Sequence, residues 1–472
     1  MLSVARRELQ LQLRDGRLAI AALLLLLLLS AATVVGWAQY EKGEAQRVRF
    51  AEESYAQWLN QGPKHPHRAA AYGMYVAKPE TPLAVFEPGL RPFAGRTLWL
   101  QAHSNAAFSH APADDDLTAS PGLGETSGAA LLQLLGGLFA MVLGALSVAR
   151  DRETGVMRQI LAQGISPRRW IGGKCLGLVA ALLLPLVPFA ILLIATTAWA
   201  AAEGAVWAAI GRTAAALGAT LVYLLGLLAI GVAVSAFSRT SRGALVVVLS
   251  LWVAGSVLAP RAASLLTLRI APTPDAAVYA SVIRDEFNGG YGERPGWDDQ
   301  LAALEDSVKA EYGLSSLDEA PVGFSGLRMQ AMDAWTNEVA DRHHAQLLAT
   351  YDRQQQIRTV LSVFAPYLAA RAASHGFAGM DWAHYQHFAA AAEEYRRAFN
   401  VQMNEAIVAG TRGQAWEMNA GRETWALAPP FTYQEPGLGW ALRAQWPAVS
   451  ILVAWLFGAL GLLAFAAQRL RP

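Results

Sequence analysis

The chain has 472 residues, of which 54% are hydrophobic and only 16% are charged, and its formal net charge is +1. Soluble domains usually carry roughly 25% charged residues. The composition therefore excludes an ordinary soluble protein and indicates membrane spans joined to polar segments. The single cysteine, Cys175, excludes an internal disulfide framework and a multi-cysteine zinc site within one chain. The charge balance gives no sign of a nucleic-acid partner, and we expect none.

The first apolar run, residues 18–40, covers about 33 Å as a helix, which is enough to cross the hydrocarbon core of a bilayer. It is longer than the apolar region of a typical signal peptide, so it predicts an uncleaved membrane anchor. Five further runs are long and apolar enough to span a membrane, and they occupy residues 128–149, 175–201, 207–237, 243–266 and 446–467. The sequence therefore predicts a mainly α-helical, polytopic membrane protein with six transmembrane helices.

The basic residues predict the orientation of these spans. Fourteen of the 38 Lys and Arg residues, but only four of the 37 Asp and Glu residues, lie in four short segments, 1–17, 150–174, 238–242 and 468–472. Six spans place these segments on one side of the membrane, and the excess of Lys and Arg assigns that side to the cytoplasm. Both termini are therefore predicted to be cytoplasmic.

Two arginines, Arg212 and Arg261, lie within the predicted spans but close to their ends. Long basic side chains at such positions can extend along the helix to the aqueous interface.

Two longer segments are predicted to lie outside the membrane. Residues 41–127 are rich in turn signals and contain short β-prone pieces such as TLWLQAH, which predicts a small mixed α/β domain. Residues 267–445 contain two runs that are nearly free of Gly and Pro, 328–358 and 380–409. This pattern predicts a larger, mainly helical external domain.

The basic loop 150–174, RDRETGVMRQILAQGISPRRWIGGK, carries local signals beyond its charge. Gly164 is placed to end a short helix in a left-handed cap. Ser166 and Pro167 then predict the start of a second helix, which leads into the third span. Orientation alone explains the arginines of this loop, but it does not explain a short amphipathic helix whose apolar face points away from any obvious core. That face consists of Val156, Met157, Ile160 and Leu161.

The same stretch resembles the signature of ABC-2 type permeases, the membrane subunits of a class of ATP-driven exporters. In that signature an acidic and basic start is followed by Glu-x-Gly, an apolar pair, a small-residue turn and a Gly-Lys pair at the next span. The matching residues are Glu153, Gly155, Ile160, Leu161, Gly173 and Lys174. The two external segments resemble those of a bacterial subfamily with enlarged extracytoplasmic insertions, so the resemblance extends over essentially the whole chain.

The resemblance implies that the loop contains a coupling helix, which docks in a cleft of a separate ATPase subunit. The residues expected to make this contact are Glu153, Thr154, Gly155, Val156, Met157, Ile160, Leu161 and Gly164. The resemblance also implies that residues 1–17 form an interfacial amphipathic helix. The apolar stripe of that helix is Leu2, Ala5, Leu9 and Leu13.

Partners are implied in the same way. We expect two copies of an ABC ATPase, which bind the ATP and Mg²⁺, and a second permease copy or a paralogous permease. A periplasmic partner for the external domains is a further expectation, together with the lipid membrane itself.

The chain has no phosphate-binding loop of the form GxxxxGK[ST]. WIGGKC contains the Gly-Lys pair but lacks the upstream glycine and the hydroxyl residue that would reach Mg²⁺. We therefore expect no catalytic residue and no cofactor in this chain, and ATP hydrolysis in the partner subunit.

All nine histidines fall in the segments predicted to be external: His65, His67, His103, His110, His343, His344, His375, His384 and His387. In HYQH, the His384 and His387 side chains lie on one face of a predicted helix, at a spacing compatible with shared metal coordination. Without a third ligand in register, we expect no metal site there. HPH at 65–67 indicates a turn, and ADDDL at 113–117 indicates a solvated surface loop.

The expected function is that of a permease subunit of an ABC exporter in the bacterial inner membrane, with both large domains in the periplasm. The permease would couple ATP hydrolysis to substrate export or to a mechanical step in the periplasm. The alternative is a membrane-anchored periplasmic enzyme or metal-binding protein that has no ATPase partner. Homodimers and heterodimers both fit the sequence, which does not identify the transported substrate.

Overall fold

A computed structural model describes residues 1–103 and 127–470 of the chain. As far as residue 162, the helices and strands are α1 (Leu2–Arg14), α2 (Gly16–Leu59), α3 (Pro66–Tyr72), β1 (Met74–Ala77), α4 (Arg91–Ala94), β2 (Thr97–Leu100), α5 (Gly128–Glu153) and α6 (Val156–Ala162). The following elements are α7 (Pro167–Ala200), α8 (Val206–Phe237), α9 (Ser241–Ile270), α10 (Ala276–Gly289), β3 (Gly290–Tyr291), β4 (Arg294–Pro295), α11 (Trp297–Tyr312), α12 (Phe324–Ser362), α13 (Pro366–Phe377), α14 (Trp382–Gly410), α15 (Arg422–Trp425) and α16 (Leu438–Arg469).

Six helices in the described part of the chain are long and apolar enough to cross a membrane: α2, α5, α7, α8, α9 and α16. They coincide with the six predicted spans, and the mainly α-helical, polytopic fold class is confirmed. The largest difference is in α2, which continues to Leu59 although the apolar run ends near residue 40. The second half of α2 is polar and extends the first span directly into the external part of the protein.

The centre of the membrane bundle is the close contact between α5 and α8. A Cβ atom built at Gly144 in α5 would lie 2.6 Å from the backbone nitrogen of Val232, and one built at Gly231 in α8 would lie 2.5 Å from the carbonyl oxygen of Met141. Small residues at helix crossings let two backbones approach in this way. Close packing stabilises helix contacts in a membrane, because the hydrophobic effect does not favour contact with another helix over contact with lipid. These two spans are mostly buried, whereas α2 and α9 expose most of their apolar residues at the periphery.

Two of the spans contain a π-helical turn, Leu132–Gly136 in α5 and Ala254–Leu258 in α9. A π turn interrupts the regular helical hydrogen bonding and leaves carbonyl groups for other donors. Trp252 Nε1 of α9 donates to the carbonyl of Leu134 over 3.1 Å. This hydrogen bond runs from a residue two positions before the π turn of α9 to a residue within the π turn of α5, and it joins the second and fifth spans.

The two external segments share one hydrophobic core, although the sequence predicts two domains. Trp58, near the end of α2, is buried edge-to-face against Phe399 of α14 and Trp425 of α15. Its indole Nε1 donates to the Trp425 carbonyl over 2.8 Å. The antiparallel pair β1–β2, with Met74 opposite Leu100, covers the same core. The two long helices predicted at 328–358 and 380–409 are confirmed as α12 and α14.

Arg212 joins the fourth span to the external part of the protein. The side chain is only 5% exposed. Its guanidinium donates to the carbonyls of Phe377, at the end of α13, and Pro436, just before α16. Carbonyls in the last turn of a helix lack intrahelical partners, so the Phe377 carbonyl is free to accept from a cation. Arg261 is exposed.

A buried ion pair holds α13 against the first external segment. Glu87 is 1% exposed, and its carboxylate accepts hydrogen bonds from Arg371 over 2.8 Å and from Ser374 over 2.9 Å. Burial by itself would raise the pKa of Glu87, but Arg371, His375 and Ser374 outweigh it and hold the pKa below its ordinary value of 4.5. Glu87 is therefore ionised at neutral pH, and it fixes the helix that lies on the outer ends of the spans.

Candidate functional site

The loop 150–174 forms the short helix α6, separated from its neighbours by two glycines with positive φ. Gly164 (φ 81°) follows the helix, as predicted, and Gly155 (φ 77°) precedes it. Only glycine adopts this backbone conformation without strain, so each glycine sets a sharp change of direction. Ser166 caps α7 by accepting from the backbone nitrogen of Arg169, and Pro167 is the first residue of that helix, also as predicted. The only sequence signal for the break at Gly155 is the pair Thr154-Gly155, which follows the four charged residues 150–153 after the second span.

The apolar face of α6 is covered by the chain itself. Met157 is only 6% exposed and belongs to the core of the membrane bundle, while Ile160 and Leu161 are half-buried against the same core. The expectation that this face points away from any core is therefore wrong. Sequence spacing identified the apolar face correctly but could not show that the ends of the spans pack beneath it.

The opposite side of α6 and its flanks is exposed and polar. It comprises Glu153, Thr154, Arg158, Gln159, Ala162, Gln163 and Gly164. Of the eight residues predicted to contact an ATPase, Glu153, Thr154 and Gly164 lie on this exposed surface, whereas Gly155, Val156, Met157, Ile160 and Leu161 are buried or half-buried. Arg158, Gln159 and Gln163 are also exposed, and they were not among the residues predicted to make this contact. We call the exposed set the coupling surface.

The coupling surface is tied to the connection between the fourth and fifth spans. The Arg152 guanidinium donates to the carbonyls of Ala236, over 2.8 Å, and Ser238, at the end of α8. The Glu153 carboxylate accepts from the hydroxyl of Ser241, at the start of α9, over 2.5 Å. A displacement of the end of α5, which leads into α6, would therefore act on both of these spans.

A cluster of three charges, of which Glu8 and Lys174 are buried and Asp151 is partly buried, ties the loop to the N-terminal helix and to the third span. Lys174, in the first turns of α7, is 3% exposed. Its ammonium lies 2.5 Å from Glu8 of α1 and 2.7 Å from Asp151 of α5. From the sequence, Lys174 was identified only as a position that matches the family signature. The sequence signal for its ion pair is Glu8, an acidic residue on the helix face that also carries Val4 and Ala5.

Glycines let α1 lie directly on α7. A Cβ atom at Gly173 would lie 2.7 Å from Cβ of Val4, and one at Gly177 would lie 2.6 Å from the carbonyl of Ala5. The face of α1 toward the protein is therefore the one that carries Val4, Ala5 and Glu8, rather than the whole predicted stripe. Leu2 and Leu13 of that stripe are exposed, in the position where an interfacial helix contacts lipid.

The four basic segments gather at one end of the bundle. Arg150 pairs with Asp15 over 3.3 Å, which places the start of the loop beside the end of α1. The ring of Phe465, near the C-terminal end of α16, lies 6.3 Å from that of Phe237, at the end of α8. This arrangement is what the positive-inside rule requires if that end of the bundle is cytoplasmic. The orientation itself stays a prediction.

The histidines at 384 and 387 bind different partners. His384 is buried, and its Nδ1 lies 2.5 Å from Asp381, whereas the exposed His387 lies 3.0 Å from the hydroxyl of Tyr433. Across residues 1–103 and 127–470, no three His, Cys, Asp or Glu side chains form a group that could hold a metal ion. His110 and the predicted surface loop at 113–117 lie outside the described residues.

The HPH sequence at 65–67 begins a helix rather than forming a turn. His65 is the N-cap of α3, and its ring accepts from the backbone nitrogen of His67. His67 Nε2 lies 3.4 Å from Nε2 of His103. Burial, followed by the neighbouring His103 and His65, lowers the pKa of His67 to about 4, so this imidazole is neutral at physiological pH.

Two family models match the chain. Residues 103–274, which include α5 to α9 and the whole of the 150–174 loop, match the model described as an ABC-2 family transporter protein. Residues 286–434, which include most of the external helices, match a domain of unknown function, DUF3526. No curated protein and no solved structure matches the chain.

Proposed function

Because this chain belongs to the ABC-2 family of transporters and is a multi-pass membrane permease, we propose that it couples ATP hydrolysis in a separate ABC ATPase to an export step across the bacterial inner membrane. In this proposal the chain is the non-catalytic membrane subunit. Two ATPase copies bind the ATP and Mg²⁺, and they contact the permease at the coupling surface.

The observation that carries the proposal is the position of α6. Its apolar side packs on the ends of the spans, its polar side is exposed, and glycines at both ends separate it from the longer helices. A short helix held in this way has one free surface for a partner and moves as a unit with the bundle. The coupling surface is mostly polar and carries Arg158, so a partner with acidic groups in its cleft would complement it.

The contacts around α6 give a route for movement into the membrane. Arg152 and Glu153 link the loop to α8 and α9, and Lys174 links it to α1 and α7. At the other end of the bundle, Arg212 of α8 and Gln445 of α16 hold the external helices through Phe377 and Asp381. A rearrangement of the spans would therefore alter the external part, which supports either cargo export or a mechanical step in the periplasm.

Three further parts of the proposal concern the permease dimer, the orientation of the bundle in the membrane and the position of α1. Most apolar residues of α2 and α9 are exposed, and a second permease copy would bury part of this surface when a symmetric dimer forms. The basic end of the bundle is assigned to the cytoplasm and the external helices to the periplasm by the positive-inside rule. Leu2 and Leu13 of α1 would lie in the cytoplasmic lipid interface.

Charge reversal on the coupling surface tests the proposal. The tagged chain, purified from its native membranes, should bring down an ATPase and hydrolyse ATP. Arg158→Glu should weaken this association about tenfold, because a like charge facing an acidic cleft costs at least the 1.4 kcal/mol that a tenfold change represents.

The matched control is Arg284→Glu, the same change at an exposed site on the external helix α10. It should leave the co-purified ATPase activity unchanged. The proposal fails if the wild-type chain brings down no ATPase and the purified material hydrolyses no ATP.

A further inference from the structure

A cavity of about 870 Å³ lies between the external helices and the outer end of the fifth span. Its long walls are α12 and α14, and its base is formed by Ser264, Thr267 and Leu268 of α9. Phe93 of α4 lies at one side and is largely exposed. Cavities of this size bind whole small molecules, and apolar walls with a few polar groups are typical of such sites.

The cavity is long, and its polarity changes along its length. Arg358 lines the end near the membrane and Asp341 the far end, 17 residues apart on α12, which corresponds to about 25 Å along a helix. The middle of the cavity is mostly apolar and aromatic, lined among others by Leu348, Tyr351 and Ala390, with Gln386 as a polar side chain among them. A compact polar ligand would leave this middle section unfilled, whereas a single hydrocarbon chain would fit it.

The base of the cavity is continuous with the surface that faces lipid. Leu268 both lines the cavity and is exposed on α9, and Leu265 beside it is 71% exposed. A chain leaving the outer leaflet would therefore meet apolar side chains from the membrane up to the middle of the cavity. Each methylene group that stays out of water along this path contributes to binding.

The arginines at the two ends of the cavity differ in whether they form an ion pair within the protein. At the far end the Arg397 guanidinium is held by Asp341 and Glu393. At the membrane end Arg358 is exposed and donates to the Ser264 hydroxyl over 3.4 Å. No acidic side chain in the described part of the chain forms an ion pair with Arg358. A guanidinium in this position presents its paired N–H donors to a carboxylate or phosphate.

We propose that this cavity binds a single-chain amphiphile with an anionic head group, the chain between α12 and α14 and the head group at Arg358. The inference deepens the proposed function by naming a substrate class for the permease, and its role in transport rests on that function. Binding itself requires only the folded chain.

The test uses palmitic acid that carries a photoactivatable diazirine on its chain, added to the purified full-length protein. Crosslinked peptides should come from α12 between residues 341 and 358 and from α14 between 382 and 397. Ala390→Trp places an indole in the cavity from an exposed position and should reduce this labelling about tenfold or more, since keeping even two methylene groups from burial has that effect.

Ala398→Trp is the matched control, because Ala398 is an exposed residue of the same helix that does not line the cavity. It should label as the wild type does. Arg358→Gln should remove the preference for palmitic acid over the corresponding alcohol while labelling of the chain persists. Excess inorganic phosphate should compete poorly, because an anion alone does not fill the apolar section.

Labelling confined to the membrane spans, equal labelling of Ala390→Trp and the wild type, or full competition by inorganic phosphate would each overturn the proposal. These outcomes are independent of whether an ATPase co-purifies. A failure of the binding site is therefore distinguishable from a failure of the proposed function.

Discussion

Replacing Lys174 with methionine should destabilise the protein by about 3–5 kcal/mol, because it leaves the buried carboxylate of Glu8 and the partly buried carboxylate of Asp151 without their shared cation. Glu8 and Asp151 lie 2.5 and 2.7 Å from the lysine ammonium and belong to two different helices. Without the cation, α1 should detach from α7. The measurement is the thermal unfolding midpoint of the purified protein in detergent, together with the rate at which protease removes the first 15 residues.

Two further variants isolate the cause. Arg150→Met removes the exposed pair between Arg150 and Asp15 and should change stability by less than about 1 kcal/mol. Combining Lys174→Met with Glu8→Gln and Asp151→Asn should recover part of the loss, because no unpaired charge remains. An unchanged midpoint and unchanged protease resistance in Lys174→Met would show that the cluster does not hold α1.

Replacing Glu87 with glutamine should also destabilise the protein by about 3–5 kcal/mol, since it leaves the Arg371 guanidinium without its buried anion. The effect should depend on pH in a defined direction. The pKa of Glu87 is lower in the folded protein than the ordinary 4.5, so its stabilising contribution is complete above pH 4.5. The contribution is lost as the pH falls through the folded-state pKa.

Unfolding midpoints of the wild type and Glu87→Gln, measured from pH 7 down to pH 3.5, should therefore differ most at neutral pH and converge below pH 4.5. Glu44→Gln is a suitable control, because Glu44 forms a partly exposed helical pair with Arg47, and its loss should cost less than about 1 kcal/mol. A constant difference across the pH range would contradict the assignment of the effect to the Glu87 carboxylate.

The parts of this fold that could be predicted are those with local signals. Six apolar runs of sufficient length give six membrane helices, because the bilayer leaves the backbone no other way to satisfy its hydrogen bonds. The end of α6 and the start of α7 were predicted from Gly164, Ser166 and Pro167. Such ends are predictable because capping depends on the few residues at the helix terminus itself. The long external helices followed from the absence of Gly and Pro over about 30 residues.

The parts that could not be predicted depend on which helices meet. The apolar face of α6 was assigned correctly, but its burial depends on spans distant in sequence that pack beneath Met157. The partners of Arg212 are two backbone carbonyls more than 160 residues away, which carry no sequence signal. The shared external core likewise forms between Trp58 and Trp425.

The most direct test of the central claim is a photocrosslink from the coupling surface. A photoreactive amino acid at Gln163, which is exposed beside α6, should crosslink to an ATP-binding subunit in native membranes, whereas the same group at Gln57, exposed on the external part of α2, should not. Crosslinking from Gln57 but not from Gln163, or no crosslink to an ATP-binding protein from either position, would contradict the account.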